Sequence, residues 1–102
     1  MKVPVACTLS AADAGERVEE WRRFLATSTA AVERSSDRQL RVRLADTSEA
    51  LHGAVDLARR EKACCEFFEF SIDVEADASW LSVAVPADAE RILADFASLL
   101  PG

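Results

Sequence analysis

The chain has 102 residues, of which 50% are hydrophobic and 29% charged, and its formal net charge is −6 at pH 7. This length fits one domain, residues 1–102, and the balance of apolar and charged residues is typical of a packed globule. The acidic excess argues against a nucleic-acid partner, because affinity for phosphates comes from clustered Lys and Arg. No apolar run approaches the roughly 20 residues of a membrane span, and no signal peptide is visible, so we expect a cytoplasmic protein without a membrane partner.

The N-terminal third predicts a strand followed by a long helix. From Val3 to Leu9, apolar side chains alternate onto one face, as in a half-buried strand. Ser10 is a suitable helix cap, and an apolar stripe then continues at helical spacings. Because Val32 extends that stripe, we expect a helix from about Ala11 to Arg34, despite the weak helix formers at 27–29.

The middle of the chain predicts a second strand and a second helix. Leu40 to Ala45 alternates apolar residues with Arg41 and Arg43, which indicates a strand with one face in water. Asp46-Thr47-Ser48 can supply the cap of a helix, and this helix is expected to give way near Glu66 to Phe70.

The C-terminal third predicts a hairpin and a last helix. Apolar residues alternate from Phe70 to Val74 and again from Trp80 to Val85, with a polar turn, Glu75 to Ser79, between them. Pro86 ends the second of these strands, and Ala87 to Leu100 is amphipathic. The predicted order is therefore β-α-β-α-β-β-α. Four strands with one wet face need helices on the other, so we predict an α+β two-layer sandwich with a four-stranded sheet and helices on one face.

One residue conflicts with the apolar stripe of the second helix. Glu61 lies within that stripe, three residues before Cys64 and four before Cys65, which are the spacings at which helical side chains meet. Local conflicts of this kind tend to mark functional sites. A structural interpretation is equally open, in which Glu61 pairs with an arginine, for instance from the first helix.

The three cysteines are predicted to converge. Cys7 belongs to the inward face of the first strand, and Cys64 and Cys65 belong to the inward half of the second helix. Converging thiolates suit zinc, copper(I) or a heavier thiophilic ion, and Glu61 would complete a set of four ligands. Adjacent helical residues diverge by about 100°, so Cys64 and Cys65 can hold one ion together only where the helix distorts.

Two other interpretations of the cysteines stay open. They could be buried packing residues, as free cysteine often is, in a non-catalytic interaction or dimerisation domain. They could also form a thiol redox switch, with a bridge from Cys7 to Cys64 or Cys65. An enzyme is not expected, because the single His52 lies on the polar helix face and no nucleophile motif or Gly-rich phosphate loop is present.

Trp80 is out of phase with the inward residues of its predicted strand. It should therefore face away from the core, and an exposed tryptophan beside a wet sheet face often marks a contact surface. We predict a homodimer with Trp80 at or near the interface.

Two short motifs resemble a family of small bacterial proteins. They are Ala6-Cys7-Thr8-Leu9 and Glu61-Lys62-Ala63-Cys64-Cys65-Glu66-Phe67-Phe68, joined by a helix that contains Trp21. The family has an ACTL-like start and E-x-x-C-C-P-F near its middle, and it is similar to the C-terminal part of some MerR-type regulators and to stand-alone proteins near metal-resistance functions. The resemblance implies a metal-linked module with Cys7, Glu61, Cys64 and Cys65 as its site, although Glu66 replaces the usual proline. Because no helix-turn-helix segment is present, a DNA-binding role would require a regulator as partner chain.

Overall fold

The structure is a computed structural model that describes residues 11–64 and 67–101. It is an α+β protein with a four-stranded antiparallel sheet and three helices, as the sequence predicts. The elements are α1 (Ala11–Ser28), β1 (Thr29–Ser36), β2 (Gln39–Leu44), α2 (Ser48–Cys64), β3 (Glu69–Val74), β4 (Ser79–Ala84), a 3₁₀ turn (Ala87–Ala89) and α3 (Glu90–Ala97). No helix in the described ranges is both long and apolar enough to cross a bilayer.

The sheet has the order β1-β2-β4-β3, so β4 lies between the strands of the first hairpin and β3. Leu40 of β2 is opposite Val83 of β4, and Val42 is opposite Leu81. These four side chains are fully buried, and they pack in one cluster with residues of all three helices, including Leu25, Ala54 and Leu93. The helices therefore cover one face of the sheet, which confirms the predicted two-layer arrangement.

The element order differs from the prediction at the start of the chain. The first helix ends at Ser28, and the prediction that it continues to Arg34 is wrong. Residues 29–36 instead form β1, which pairs with β2 and makes the observed order α-β-β-α-β-β-α. The strand predicted for residues 3–9 lies outside the described residues.

Two features of the sequence explain where α1 ends. The hydroxyl of Thr27 donates to the backbone carbonyls of Arg23 and Phe24, at 3.1 and 3.3 Å. The Thr-Ser-Thr run at 27–29 also has low helix propensity. β1 is also exposed along nearly its whole length, including Val32 at 40%. An edge strand of this kind needs no apolar alternation, so its pattern in the sequence was indistinguishable from the polar end of a helix.

The remaining elements agree with the sequence patterns to within a few residues. Thr47 caps α2 by accepting a 3.1 Å hydrogen bond from the backbone N–H of Ala50. Phe68 is buried at 6% exposure, and Phe67 and Phe70 pack against the core, as expected for these aromatic residues. The last helix is shorter than predicted, because the 3₁₀ turn precedes it and it ends at Ala97.

Trp21 connects three of the elements. Its indole stacks on Phe70 of β3 with ring centroids 5.9 Å apart, and it meets Phe96 of α3 edge-on at 5.0 Å. Because Trp21 is only 2% exposed, α1, β3 and α3 share one aromatic contact in the core.

Candidate functional site

Only part of the predicted thiol site falls within the described residues. Cys64 is the C-terminal residue of α2, whereas Cys7 and Cys65 lie outside the described ranges. The convergence of the three cysteines therefore stays a prediction. Within the described ranges, no three His, Cys, Asp or Glu side chains are grouped as metal ligands would be.

Glu61 points into the interface between α1 and α2, where it is 7% exposed. Its Oε1 accepts a 2.8 Å hydrogen bond from the indole N–H of Trp21 and lies 3.5 Å from Nη1 of Arg17. The inward position expected from the sequence is confirmed. The arginine pairing that the sequence left open is also present, and its partner belongs to the first helix.

Arg17 is less fully hydrogen-bonded than Glu61. Its side chain is 13% exposed, and its Nη1 is buried without a hydrogen-bond partner in the part of the chain that is described. The 3.5 Å separation from Glu61 is longer than the roughly 2.7–2.9 Å of a charge-assisted hydrogen bond. Arg17 therefore balances the buried carboxylate mainly by its charge, and Trp21 supplies the hydrogen bond.

A second, more exposed ion-pair cluster joins the same helices through residues adjacent to Trp21 and Glu61. Arg60 donates to both carboxylate oxygens of Glu20, at 3.1 and 2.6 Å, and also pairs with Asp56 at 3.0 Å. The hydrogen bond from Arg60 lowers the pKa of Glu20 below its ordinary value, and the positive charges of Arg60 and Arg17 act in the same direction. The same hydrogen bond raises the pKa of Arg60.

Lys62 joins the end of α2 to the start of β3. Its Nζ donates to the backbone carbonyl of Phe68 at 3.0 Å and lies 3.2 Å from a carboxylate oxygen of Glu69. Phe68 itself is inserted in the core against Phe70 and Phe96. The connection that carries the cysteine pair is thus fixed on its N-terminal side by Glu61 and on its C-terminal side by Phe68.

Among the described residues, two clefts lie on the surface. One, of about 370 Å³, is at the N-terminal end of α2 and includes Arg43, Asp46 and Asp77. The other, of about 260 Å³, lies between α2 and β3 and is lined mainly by apolar atoms of Val55, Ala58, Phe70 and Ile72. Neither cleft contains a described cluster of metal-ligating side chains.

The outward face of the sheet is the second feature of interest, and the sequence identified only part of it. Trp80 lies on this face, opposite Arg43 of β2 on one side and Asp73 of β3 on the other. The predicted outward orientation of Trp80 is confirmed. The pairing of Trp80 with these two charges depends on strand order, which the sequence pattern did not provide.

A comparison of the chain with protein-family models, with curated proteins and with solved structures finds no match.

Proposed function

We propose that this protein is a cytoplasmic thiol-based module that binds or senses a soft metal ion through Cys7, Cys64 and Cys65. The observation that carries the proposal is that α2 ends at Cys64, with Glu61 bonded to α1 before the cysteine pair and Lys62 bonded to the Phe68 carbonyl after it. Ligands on a short segment between rigid elements are held close to a fixed geometry, which favours binding. Zinc, copper(I) and heavier thiophilic ions are the candidates, because thiolates prefer them.

α2 ends close to the cysteine pair, which weakens the main geometric argument against binding of one ion by both thiols. Two adjacent side chains within a regular helix diverge by about 100° and cannot easily hold the same ion. α2 is described as far as Cys64, and Phe67 already lies in a turn that leads to β3. The chain has therefore left the helix by Phe67, and we propose that the cysteine pair lies where the regular helix ends.

The antiparallel packing of α1 and α2 supports the participation of Cys7. Glu20 and Arg60 meet toward one end of the helix pair, whereas Phe24 approaches Gly53 toward the other. The beginning of α1 and the end of α2 are therefore at the same end of the molecule.

The chain between Cys7 and α1 is short enough for the third thiol to reach this end. Cys7 precedes Ala11, the first residue of α1, by four residues, which span at most roughly 14 Å. Packed helix axes are separated by about 8–10 Å. We therefore propose that Cys7 reaches the cysteine pair.

The contacts of Glu61 favour a supporting role over a direct ligand role. Its Oε1 is already engaged by Trp21 and Arg17, which fix the last turns of α2 against α1. We therefore propose three thiolates as the ligands and Glu61 as the residue that holds Cys64 in place. A fourth ligand, where zinc requires one, would be water.

Metal titration of single-site variants tests this assignment. Zn(II) and Cd(II) are added to the reduced, chelator-free protein, and thiolate-to-metal absorbance is followed. We expect saturable binding of one ion per chain, and a loss of affinity of at least about tenfold for Cys7→Ser, Cys64→Ser and Cys65→Ser. Glu61→Gln is the matched control, for which we expect a smaller loss of affinity together with a loss of stability.

The same variants separate the alternatives. If the cysteines only pack, wild type shows no saturable binding and each buried serine lowers stability by roughly 1–3 kcal/mol. If they form a redox switch, mild oxidation produces a bridge from Cys7 to Cys64 or Cys65, which peptide mapping detects, without metal affinity in the reduced state. Equal metal affinity of Cys7→Ser and wild type would exclude Cys7 as a ligand.

A further inference from the structure

The outward face of the sheet carries a row of three residues in register across its strands. Arg43 of β2 lies opposite Trp80 of β4, and Trp80 lies opposite Asp73 of β3. The row therefore places a positive charge, a large aromatic ring and a negative charge side by side on one face of the sheet.

Trp80 is held in place on this face. The guanidinium of Arg41 lies 4.2 Å from the centroid of its ring, and Arg41 also pairs with Glu33 of β1 at 3.4 Å. Ser82, directly opposite Arg41 in the register, is only 6% exposed although it belongs to the outward face. The larger side chains around Ser82 therefore shield it from solvent. Trp80 itself is half-buried on this face.

The two charges that flank Trp80 lack side-chain partners. Arg43 and Asp73 are both exposed, and neither side chain makes an ion pair or hydrogen bond within the part of the chain that the structure describes. They stand two strand spacings apart, roughly 9.6 Å, with Trp80 between them, and they do not pair with each other. The other charged residue of β2 on this face, Arg41, is already paired.

We infer that this face binds a second copy of the same chain, related by a two-fold axis that lies between the two sheets and runs along β4. Rotation about this axis keeps each residue at the same level along the strand direction. It places β2 of one copy opposite β3 of the other. Arg43 of each copy then faces Asp73 of the other, and the two Trp80 rings meet at the centre. The choice of a second copy rests on this charge complementarity, since the face carries both members of the ion pair in the positions that the symmetry requires.

The size of the face sets the expected affinity. The axis along β4 brings β2, β4 and β3 of the two copies together, and three strands about 4.8 Å apart make a contact roughly 14 Å wide, which belongs to the small class of interfaces. We therefore expect a dimer that forms at micromolar concentration and dissociates on dilution. Its central tryptophans and its charge pairs should contribute most of the binding energy.

Charge reversal with rescue tests the arrangement directly. Sedimentation equilibrium is measured from about 1 to 500 μM with chelator and reductant present, so that the result does not depend on the proposed metal site. We expect Arg43→Asp and Asp73→Arg each to weaken the dimer at least about tenfold, because each places like charges opposite one another. The double variant restores opposite charges in both contacts and should dimerise within about threefold of wild type.

Arg38→Glu provides the charge-matched control, since Arg38 pairs with Glu90 and lies in the turn between β1 and β2. It should leave the dimer constant within about threefold, whereas Trp80→Ala should weaken it at least tenfold. A wild-type protein that stays monomeric at 500 μM overturns the inference. So does a double variant that associates no better than the single variants, because the contact would then lie elsewhere on the surface.

Discussion

The indole N–H of Trp21 donates a 2.8 Å hydrogen bond to Oε1 of Glu61 across the interface of the two long helices. Both side chains are almost completely buried, at 2% and 7% exposure. A buried carboxylate is costly unless it is paired and hydrogen-bonded, and here Trp21 supplies the hydrogen bond and Arg17 the charge. This contact holds α2 three residues before Cys64, so it connects the core to the proposed thiol site.

Removing the indole donor should destabilise the protein. For Trp21→Phe we expect the free energy of unfolding to fall by about 1–3 kcal/mol, since the buried carboxylate loses its hydrogen bond. Urea titration followed by far-UV circular dichroism measures the change. Trp80→Phe on the outward face is the control, with an expected change within about 0.5 kcal/mol in dilute protein.

A double-mutant cycle isolates the hydrogen bond from the packing of the ring. Trp21→Phe and Glu61→Gln should be coupled by roughly 0.5–3 kcal/mol, because both act on the same buried contact. Additive effects of the two substitutions would show that Glu61 does not depend on Trp21, and the structural role assigned to Glu61 would then be wrong.

Acid should weaken the cluster of Glu20 and Arg60. The hydrogen bond from Arg60 lowers the pKa of Glu20 in the folded state, so this carboxylate stabilises the fold above its unfolded pKa of about 4.3. The contribution is lost as the pH falls through the lower folded-state pKa. Because the Glu20 side chain is 43% exposed, we expect less than about 1 kcal/mol.

The comparison of wild type with Glu20→Gln by urea titration at several pH values measures this contribution. The two proteins should differ at pH 7 and converge in strong acid. In an Arg60→Gln background, Glu20→Gln should have little further effect, because the partner is already absent. A difference that grows as the pH falls would contradict the assigned sign.

Thr47 should contribute to the stability of α2 through its hydroxyl. It accepts the backbone N–H of Ala50 at 3.1 Å, so Thr47→Ala leaves a helix N–H without this partner and should cost about 1 kcal/mol. Thr47→Ser keeps the oxygen and should behave much like wild type. Thermal unfolding monitored by circular dichroism distinguishes the two variants, and equal destabilisation by Ala and Ser would exclude the capping role.

Much of the fold could be predicted because the central elements bury one face each. Leu40, Val42 and Leu44 alternate in the sequence and line the core in the structure, and the stripe of α2 was equally clear except at Val55, which was expected to face inward and is 40% exposed. β1 was missed because an exposed edge strand carries no burial pattern, and Val32 happened to continue the stripe of α1. The low helix propensity of residues 27–29 favours the end of a helix there. Pairing with β2 then makes the following residues a strand.

The candidate sites were only partly accessible to sequence reasoning. Helical spacing placed Glu61 inside the protein, yet the choice of Arg17 and Trp21 as its partners depends on how α1 crosses α2. Likewise, alternation placed Trp80 on the outer face, but its position between Arg43 and Asp73 follows from the strand order. Pairings between distant segments are long-range properties that a local pattern does not contain.

Native mass spectrometry of the full chain, purified under reducing conditions without chelator and mixed with one equivalent of Zn(II) or Cd(II), tests the central claim most directly. We expect the mass of one metal ion per chain, retained through buffer exchange and removed by acid or by alkylation of the cysteines. The claim is contradicted if the reduced protein shows only its metal-free mass with both ions, or if Cys64→Ser and Cys65→Ser retain the ion as well as wild type.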